Sequence, residues 1–448
     1  MNTKPNQKKE ISGKFKDSVS FKLIVISILS LLLLIPTVFV QNLINERQNR
    51  RNSTISEVTS KWGEEQTLFG PVLLIPYVMY EKTPKDTYIS KTYTFHLLPD
   101  ELDINGTMNP EVRYRGIYKV ITYGSDISIK GKFKAESFSN WPVDADKILW
   151  KKAYLALGIS DLTGLDQIKK LDWNNKQLEM EGGIPFQSSV SNGISAELAL
   201  DPEKEHNFTI DISLNGSESL FFVPAGKITH VSLASDWNTP SFDGAQLPDD
   251  RKVNEEGFTA EWNALHLTRS FPQKWSGVMY DYEIPESAFG VNLLIPVDNY
   301  QKTTRSVKYA LLFIGLTFLV IFFIEVMSKK KIHPVQYLLT GITLVIFYSL
   351  LLALSEHLNF TLAYLIASVC IIGLIVIYSG SIFKNRSYTM IAMVVLISLY
   401  GFLYAILNMS DFALLLGNIG LFVILAIVMF FSKKIDWYSG KQSGVSTE

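Results

Sequence analysis

Cysteine is nearly absent, with Cys370 the only one in 448 residues. An internal disulfide is therefore excluded, and any soluble part must hold together through an ordinary apolar core. Histidine is scarce as well. The six residues His96, His206, His230, His266, His333 and His357 form no close ligand pair, so the spacing supports no metal site. The chain also lacks a phosphate-binding P-loop, a G-x-G-x-x-G, an H-E-x-x-H and a G-x-S-x-G. A triad assembled from distant residues would leave no such trace. The residues themselves point to a non-enzymatic protein with no catalytic residue, no cofactor and no metal.

Long apolar runs are plentiful. Six of them cover residues 23–40, 309–326, 335–354, 360–378, 388–407 and 412–431. Each is long enough, at 1.5 Å per residue, to cross roughly 30 Å of hydrocarbon as a helix. In lipid a helix is required, because backbone groups there find no water. The predicted fold class is a multi-domain membrane protein. Its six transmembrane α-helices accompany a large, mainly antiparallel, sandwich-like β domain at residues 41–306. Residues 1–22 form a basic N-terminus, 307–431 a five-helix bundle and 432–448 a tail. The polar ends, 1–18 and 440–448, are expected to be disordered.

Charge sets the predicted orientation. Lys4, Lys8, Lys9, Lys14, Lys16 and Lys22 precede the first run. Lys329, Lys330 and Lys331 follow the second, Lys384 and Arg386 the fourth, and Lys433, Lys434 and Lys441 the sixth. The two remaining short turns carry Glu356 and Asp411 instead. Threading six helices in order puts every basic segment on one side, which the positive-inside rule makes cytoplasmic. Both termini are then cytoplasmic and the large domain extracytoplasmic. Arg47, Arg50, Arg51, Arg305 and Lys308 run against the rule, but large translocated domains largely escape it. The first run is read as an uncleaved anchor. It has full span length and no A-x-A site, and residues 41–51 continue it as a helix.

Residues 41–306 hold 27 Lys and Arg against 36 Asp and Glu. That acidic balance argues against nucleic acid and anionic headgroups as partners of this domain. Strand signals dominate it: 71–80, 88–98, 116–123, 127–133, 194–200, 207–214, 219–223, 229–233, 258–267 and 288–295. Residues 144–157 have helical spacing, through Ile148, Leu149, Ala153 and Leu157. The Asn215-Gly216 pair reads as a hairpin turn.

Long strings of this chain resemble one family, the CreD-type inner-membrane proteins, also called cell envelope integrity proteins. They include GPVLLIPY at residues 70–77, LNGSESLFFVPAGK at 214–227 and DWNTPSFDGAQLPDDR at 236–251. The membrane part contributes FGVNLLIPVDNYQKTTRSVKYALLFIGLTF at 289–318 and HPVQYLLTGITLVIFYSLLLALSEHLNFTLAYLIA at 333–367. The resemblance covers nearly everything after about residue 55. It implies a bacterial inner-membrane protein with one outer domain, a link to envelope stress, and no catalytic residues to carry over.

Two groups of residues are candidates for function. Trp237, Phe242, Trp262, Phe271 and Trp275 lie among prolines and glycines in residues 236–275. They form either an aromatic groove for a peptide, glycan or lipid, or a long connection pinned to the β core. Glu325, His333, Glu356 and His357 are the ionisable groups in or near the membrane runs. Glu325 is expected to pair with Lys329 at i+4. His333 precedes Pro334, and Glu356 and His357 lie in an outer turn. The four act as a proton-responsive site or as interfacial anchors and helix caps. Within the spans, Asn418 is the polar residue that keeps transport open. The leading expectation is envelope-integrity support, with the outer domain binding an envelope protein, glycan or lipid. The alternatives are an outer-leaflet enzyme or lipid/solute handler using Glu356 and His357, and an envelope sensor.

Overall fold

The structure, a computed structural model, describes residues 19–82, 84, 86–185, 192–294, 299–409 and 413–433. The polar ends, with Lys4 to Lys16, Lys434 and Lys441, lie outside the described residues, as does Asp411. The chain divides into two compact units, Met1–Arg50 with Val297–Glu448, and Arg51–Pro296.

Helix α1 (Val19–Leu32) opens the helical unit and α2 (Leu34–Trp62) follows after a break at Leu33. Pro36 explains the break, since it has no N–H to offer the carbonyl four residues back.

The β unit is built from two sheets around one shared apolar core. Its strands are β1 (Gln66–Lys82), β2 (Tyr88–Leu97), β3 (Glu101–Arg115), β4 (Tyr118–Phe133), β5 (Ala153–Ile159) and β6 (Leu165–Trp173). Next come β7 (Lys176–Gln177), β8 (Glu181–Gly182), β9 (Gly193–Leu198), β10 (His206–Ser217), β11 (Ser219–Val223) and β12 (Ile228–Ser235). The last are β13 (Pro240–Gly244), β14 (Asp250–Asn254), β15 (Gly257–Leu265), β16 (Lys274–Ser276) and β17 (Phe289–Leu293), with the short helix α3 (Glu283–Glu286) between the final two. One sheet runs β13-β17-β11-β1-β5-β9-β8, with β2 on the far half of β1 and β16 beside β2. The other runs β14-β15-β12-β3-β4-β10-β6-β7. Pairing is antiparallel except β1 with β11 and β12 with β3.

Three local readings change. Residues 144–157 are not a helix: two 3-10 turns, Ala145–Lys147 and Trp150–Lys152, lead into β5. Leu155, Ala156 and Leu157 are all buried there, because β5 lies between β1 and β9 and is covered on both faces. A doubly buried strand shows an unbroken apolar run, which mimics helical spacing. The Asn215-Gly216 pair does not turn either. β10 continues through it to Ser217, and the direction changes at Glu218, with φ +61°, as the chain passes to the other sheet. Gly216 is needed because a Cβ would stand 2.3 Å from the Tyr123 hydroxyl. Finally, β3 is a long central strand where no strand was expected, since Asn105-Gly106 and Asn109-Pro110 look like turns. Gly106 instead makes room for Leu233 of β12, whose side chain would lie 2.9 Å from an added Cβ.

The helical unit resumes with α4 (Asn299–Lys308), α5 (Ala310–Ser328), α6 (Pro334–Ser355), α7 (Phe360–Phe383), α8 (Arg386–Asn408) and α9 (Ala413–Ser432). Among the described residues five helical stretches, Phe21–Trp62 (taken across the break) with α5 to α8, are long and apolar enough to cross a membrane; α9 has a shorter apolar stretch at Leu415–Phe430. Large apolar side chains point outward, among them Ile377 at 75% and Phe422 at 73% exposure. A surface of this kind is stable against lipid, not water. The inside holds an aromatic cluster in which Phe347 meets Tyr348, Tyr364 and Tyr400 edge-on, and Tyr364 donates to the Tyr400 carbonyl at 2.7 Å. Gly341 lets the α1–α2 break pack closely, since a Cβ there would meet Leu33 at 2.1 Å.

Candidate functional sites

Two polar clusters occupy opposite ends of α6. At its start, Glu325 of α5 is buried at 2% exposure. One carboxylate oxygen accepts from Lys22 Nζ at 2.5 Å and from the Ile332 N–H at 3.1 Å. The other accepts from the Tyr337 hydroxyl at 2.8 Å. Lys329, the expected partner at i+4, is elsewhere. Helix α5 ends at Ser328 and Lys329 adopts the left-handed conformation at φ +52°, so it leaves the helical face. The cation comes from α1, 303 residues away in sequence. His333 caps α6: its side chain accepts from the Val335 N–H, and Gln336 reaches back to the His333 N–H. This is a capping box followed by Pro334 at the first helical position.

At the other end, Glu356 caps α6 and accepts from the Tyr300 hydroxyl at 3.1 Å, with Arg47 of α2 at 3.9 Å. Asn299 donates to the Ser355 carbonyl at 2.7 Å, and Lys302 of α4 reaches Asn408 of α8 at 2.8 Å. His357 is exposed. The four sequence-predicted groups therefore do not form one site. Glu325 and Glu356 are separated by the length of α6, about 33 Å at 1.5 Å per residue. Each cluster ties neighbouring helices together.

The aromatic segment resolves differently from a binding groove. Trp262, Phe271 and Trp275 are buried, at 0%, 3% and 6% exposure, and offer no surface. Trp237 and Phe242 are half-buried against the same core. Phe242 packs edge-on to Phe258 and Trp262, Trp262 against Phe289, Phe271 against Phe69, and Trp275 flat on His96 at 4.8 Å. The physical reason is topological. Residues 228–276 pass from the second sheet (β12) to the first (β13), back (β14, β15) and again to the first (β16). The aromatics fill the seam that this stitching creates. Burial within it pushes the His96 imidazole down to about 4, because the charged form loses its water.

The polar face of the eight-stranded sheet was not anticipated. Asp103, Asn105 and Thr107 of β3 alternate with buried Leu102, Ile104 and Met108. Across the register lie Lys130, Ser128 and Asp126 of β4, then Thr209, Asp211 and Ser213 of β10. Asp126 pairs with Lys169 at 2.6 Å and accepts from Ser213, while Ser128 donates to Asp211 at 2.6 Å. Two shallow grooves of about 430 and 520 Å³ run over this face, the second reaching His230. Period-two polar alternation in four consecutive ladder strands is the signal that could have revealed it. Among the described residues, no group of three or more His, Cys, Asp or Glu is placed to hold a metal ion.

Three comparisons with known proteins bear on identity. Leukotriene A4 hydrolase from Saccharomyces cerevisiae matches at TM-score 0.21 and 11% identity, over 50% of this chain and 35% of its own. The yeast enzyme bound to bestatin gives 0.20 and 10% over the same shares. Likeness at that level carries no argument. The inner membrane protein CreD of Escherichia coli K12 is 35% identical over 418 residues, 91% of each chain. The family model for inner membrane protein CreD matches residues 18–438. Together with the apolar-surfaced helices and the large β unit, these matches show that the chain belongs to the CreD family of inner membrane proteins.

Proposed function

We propose that the protein is a non-enzymatic inner-membrane scaffold that supports cell envelope integrity, and that its β unit binds an envelope component outside the membrane. The helices cross six times, with both termini and the basic turns Lys329–Lys331 and Lys384–Arg386 in the cytoplasm. The observation that carries the binding role is the wide polar face of the eight-stranded sheet. Its Asp, Asn, Ser, Thr and Lys side chains, already ordered in cross-strand pairs, present donors and acceptors in rows. Rows of this kind fit a polyhydroxylated partner such as an envelope glycan better than an apolar one.

The test is in-cell photo-crosslinking from positions 105, 128 and 232, with positions 262 and 275 as buried controls. Glycan or glycan-linked products from the first set alone are expected. Products from the buried set only, or none from either, would refute the reading. Sidedness is checked separately in a Cys370→Ser background, by labelling single cysteines placed at Tyr282 and Lys384. An impermeant reagent should label the first in intact cells and the second only after permeabilisation.

A further inference from the structure

The α7–α8 turn carries positive charge that no described residue pairs with. No Asp or Glu occurs between Glu356 and Asp411. Among the described residues neither Lys384 nor Arg386 has an ion-pair partner, and both are exposed. The nearest buried carboxylate in this part of the bundle, Glu325, is already taken by Lys22, Tyr337 and the Ile332 N–H. A third cation joins them, since Lys330 donates to the carbonyl of Phe383 at the end of α7. The α5 end is tied to the same place by the Tyr388 hydroxyl, which donates to the Met327 carbonyl at 3.3 Å.

Lys384 and Arg386 rim an open groove of about 470 Å³ between α7 and α8, and Lys330 lies beside it through the Phe383 carbonyl. Lys384 and Arg386 stand at its mouth, and Val376, Met390 and Met393 form an apolar wall. Gly380 lies among the groove's lining residues, and a Cβ there would meet Thr389 at an ordinary 3.6 Å, so alanine fits while a larger side chain would occupy the groove. Volumes of roughly 300–1,000 Å³ are those of ligand sites. A soluble anion would satisfy the cations and leave the apolar wall wet. An uncharged lipid would fill the wall and leave the cations unpaired.

We infer that this groove is a binding site for one anionic phospholipid. The phosphate sits between Lys384 and Arg386, with Lys330 adjacent, and an acyl chain lies along Val376, Met390 and Met393. Basic recesses between membrane helices hold acidic headgroups through this charge complementarity. The site needs only that the helical unit lies in a bilayer, so it stands or falls independently of the glycan reading of the β unit.

Native mass spectrometry of the full chain, released from bilayers of equal phosphatidylglycerol and phosphatidylethanolamine, tests it. The unsubstituted protein should retain phosphatidylglycerol preferentially. K384Q/R386Q should lower that retention by at least about tenfold. Because removing these cations could also disturb insertion, G380L provides a second test with all charges intact. It fills the groove and should lose the lipid as completely, whereas G380A, which fits the space, should keep it. Equal retention of the two lipids, or phosphatidylglycerol retained by G380L as by G380A, overturns the site.

Discussion

The two units of this protein solve opposite problems with the same residue types. In the β unit, apolar side chains are inside and polar pairs such as Asp126–Lys169 line the outside. In the helical unit, Ile377 and Phe422 are outside, while Glu325, Tyr337 and Tyr364 are buried. Burying an apolar group gains free energy only when the alternative is water. In lipid that gain vanishes, and packing plus satisfied polar groups must hold helices together. A tryptophan and an ion pair should therefore matter in different units for different reasons.

The largest effect belongs to the seam of the sandwich. Trp262→Ala should cost about 4 kcal/mol, because it opens a cavity at a fully buried site. Phe422→Ala on the helical surface should leave stability in detergent unchanged. Chemical unfolding of the full chain, followed by tryptophan fluorescence for the β unit and by helical circular dichroism for the helical unit, compares them, and equal losses would break the contrast. Next comes Lys22→Met, which leaves Glu325 buried without its cation and should destabilise by about 3 kcal/mol. Adding Glu325→Gln should restore most of it. If thermal unfolding shows Lys22→Met to be neutral, water reaches that carboxylate and the buried-cluster account fails.

A third contrast is in pH. His96 titrates near 4 in the fold against 6.5 unfolded, so the unfolded chain takes up the proton first. The stability it contributes is complete above pH 6.5 and drains away as pH falls toward 4, by about 3 kcal/mol at most. His96→Gln should flatten the stability profile between pH 6.5 and 5, above the range where most carboxylates titrate. An unchanged slope would show that His96 is not the group responsible. The smallest effect is Asp126→Asn on the polar face. It should cost less than about 1 kcal/mol, since exposed ion pairs contribute little. Its crosslinking yield should nevertheless fall, which separates binding from folding on that face.

Much of this was legible in the chain, and what was not has identifiable causes. The apolar runs revealed helices because a bilayer imposes a length and a composition on each one separately. The capping role of His333 was visible beside Pro334 because capping is local. Glu325 was legible as unusual, yet its partner was misassigned. The i+4 rule holds only while the helix continues, and α5 stops one residue short of Lys329. The strand β3 was hidden by turn-like pairs that a neighbouring strand, through Leu233, turns into a packing requirement. Trp262 and Trp275 looked alike as core or as surface, because an aromatic ring suits both.

The sequence alone determined that this chain has membrane helices, a cysteine-free β-rich unit and an uneven distribution of charge. Each of these follows from the solvent that a segment must meet. The tertiary structure decided which sheet each strand joins, that the aromatics fill a seam, that Lys22 is the partner of Glu325, and that Lys384 and Arg386 rim an open groove. Those are relations between residues far apart in the chain, set by which surfaces pack together, and no local pattern encodes them.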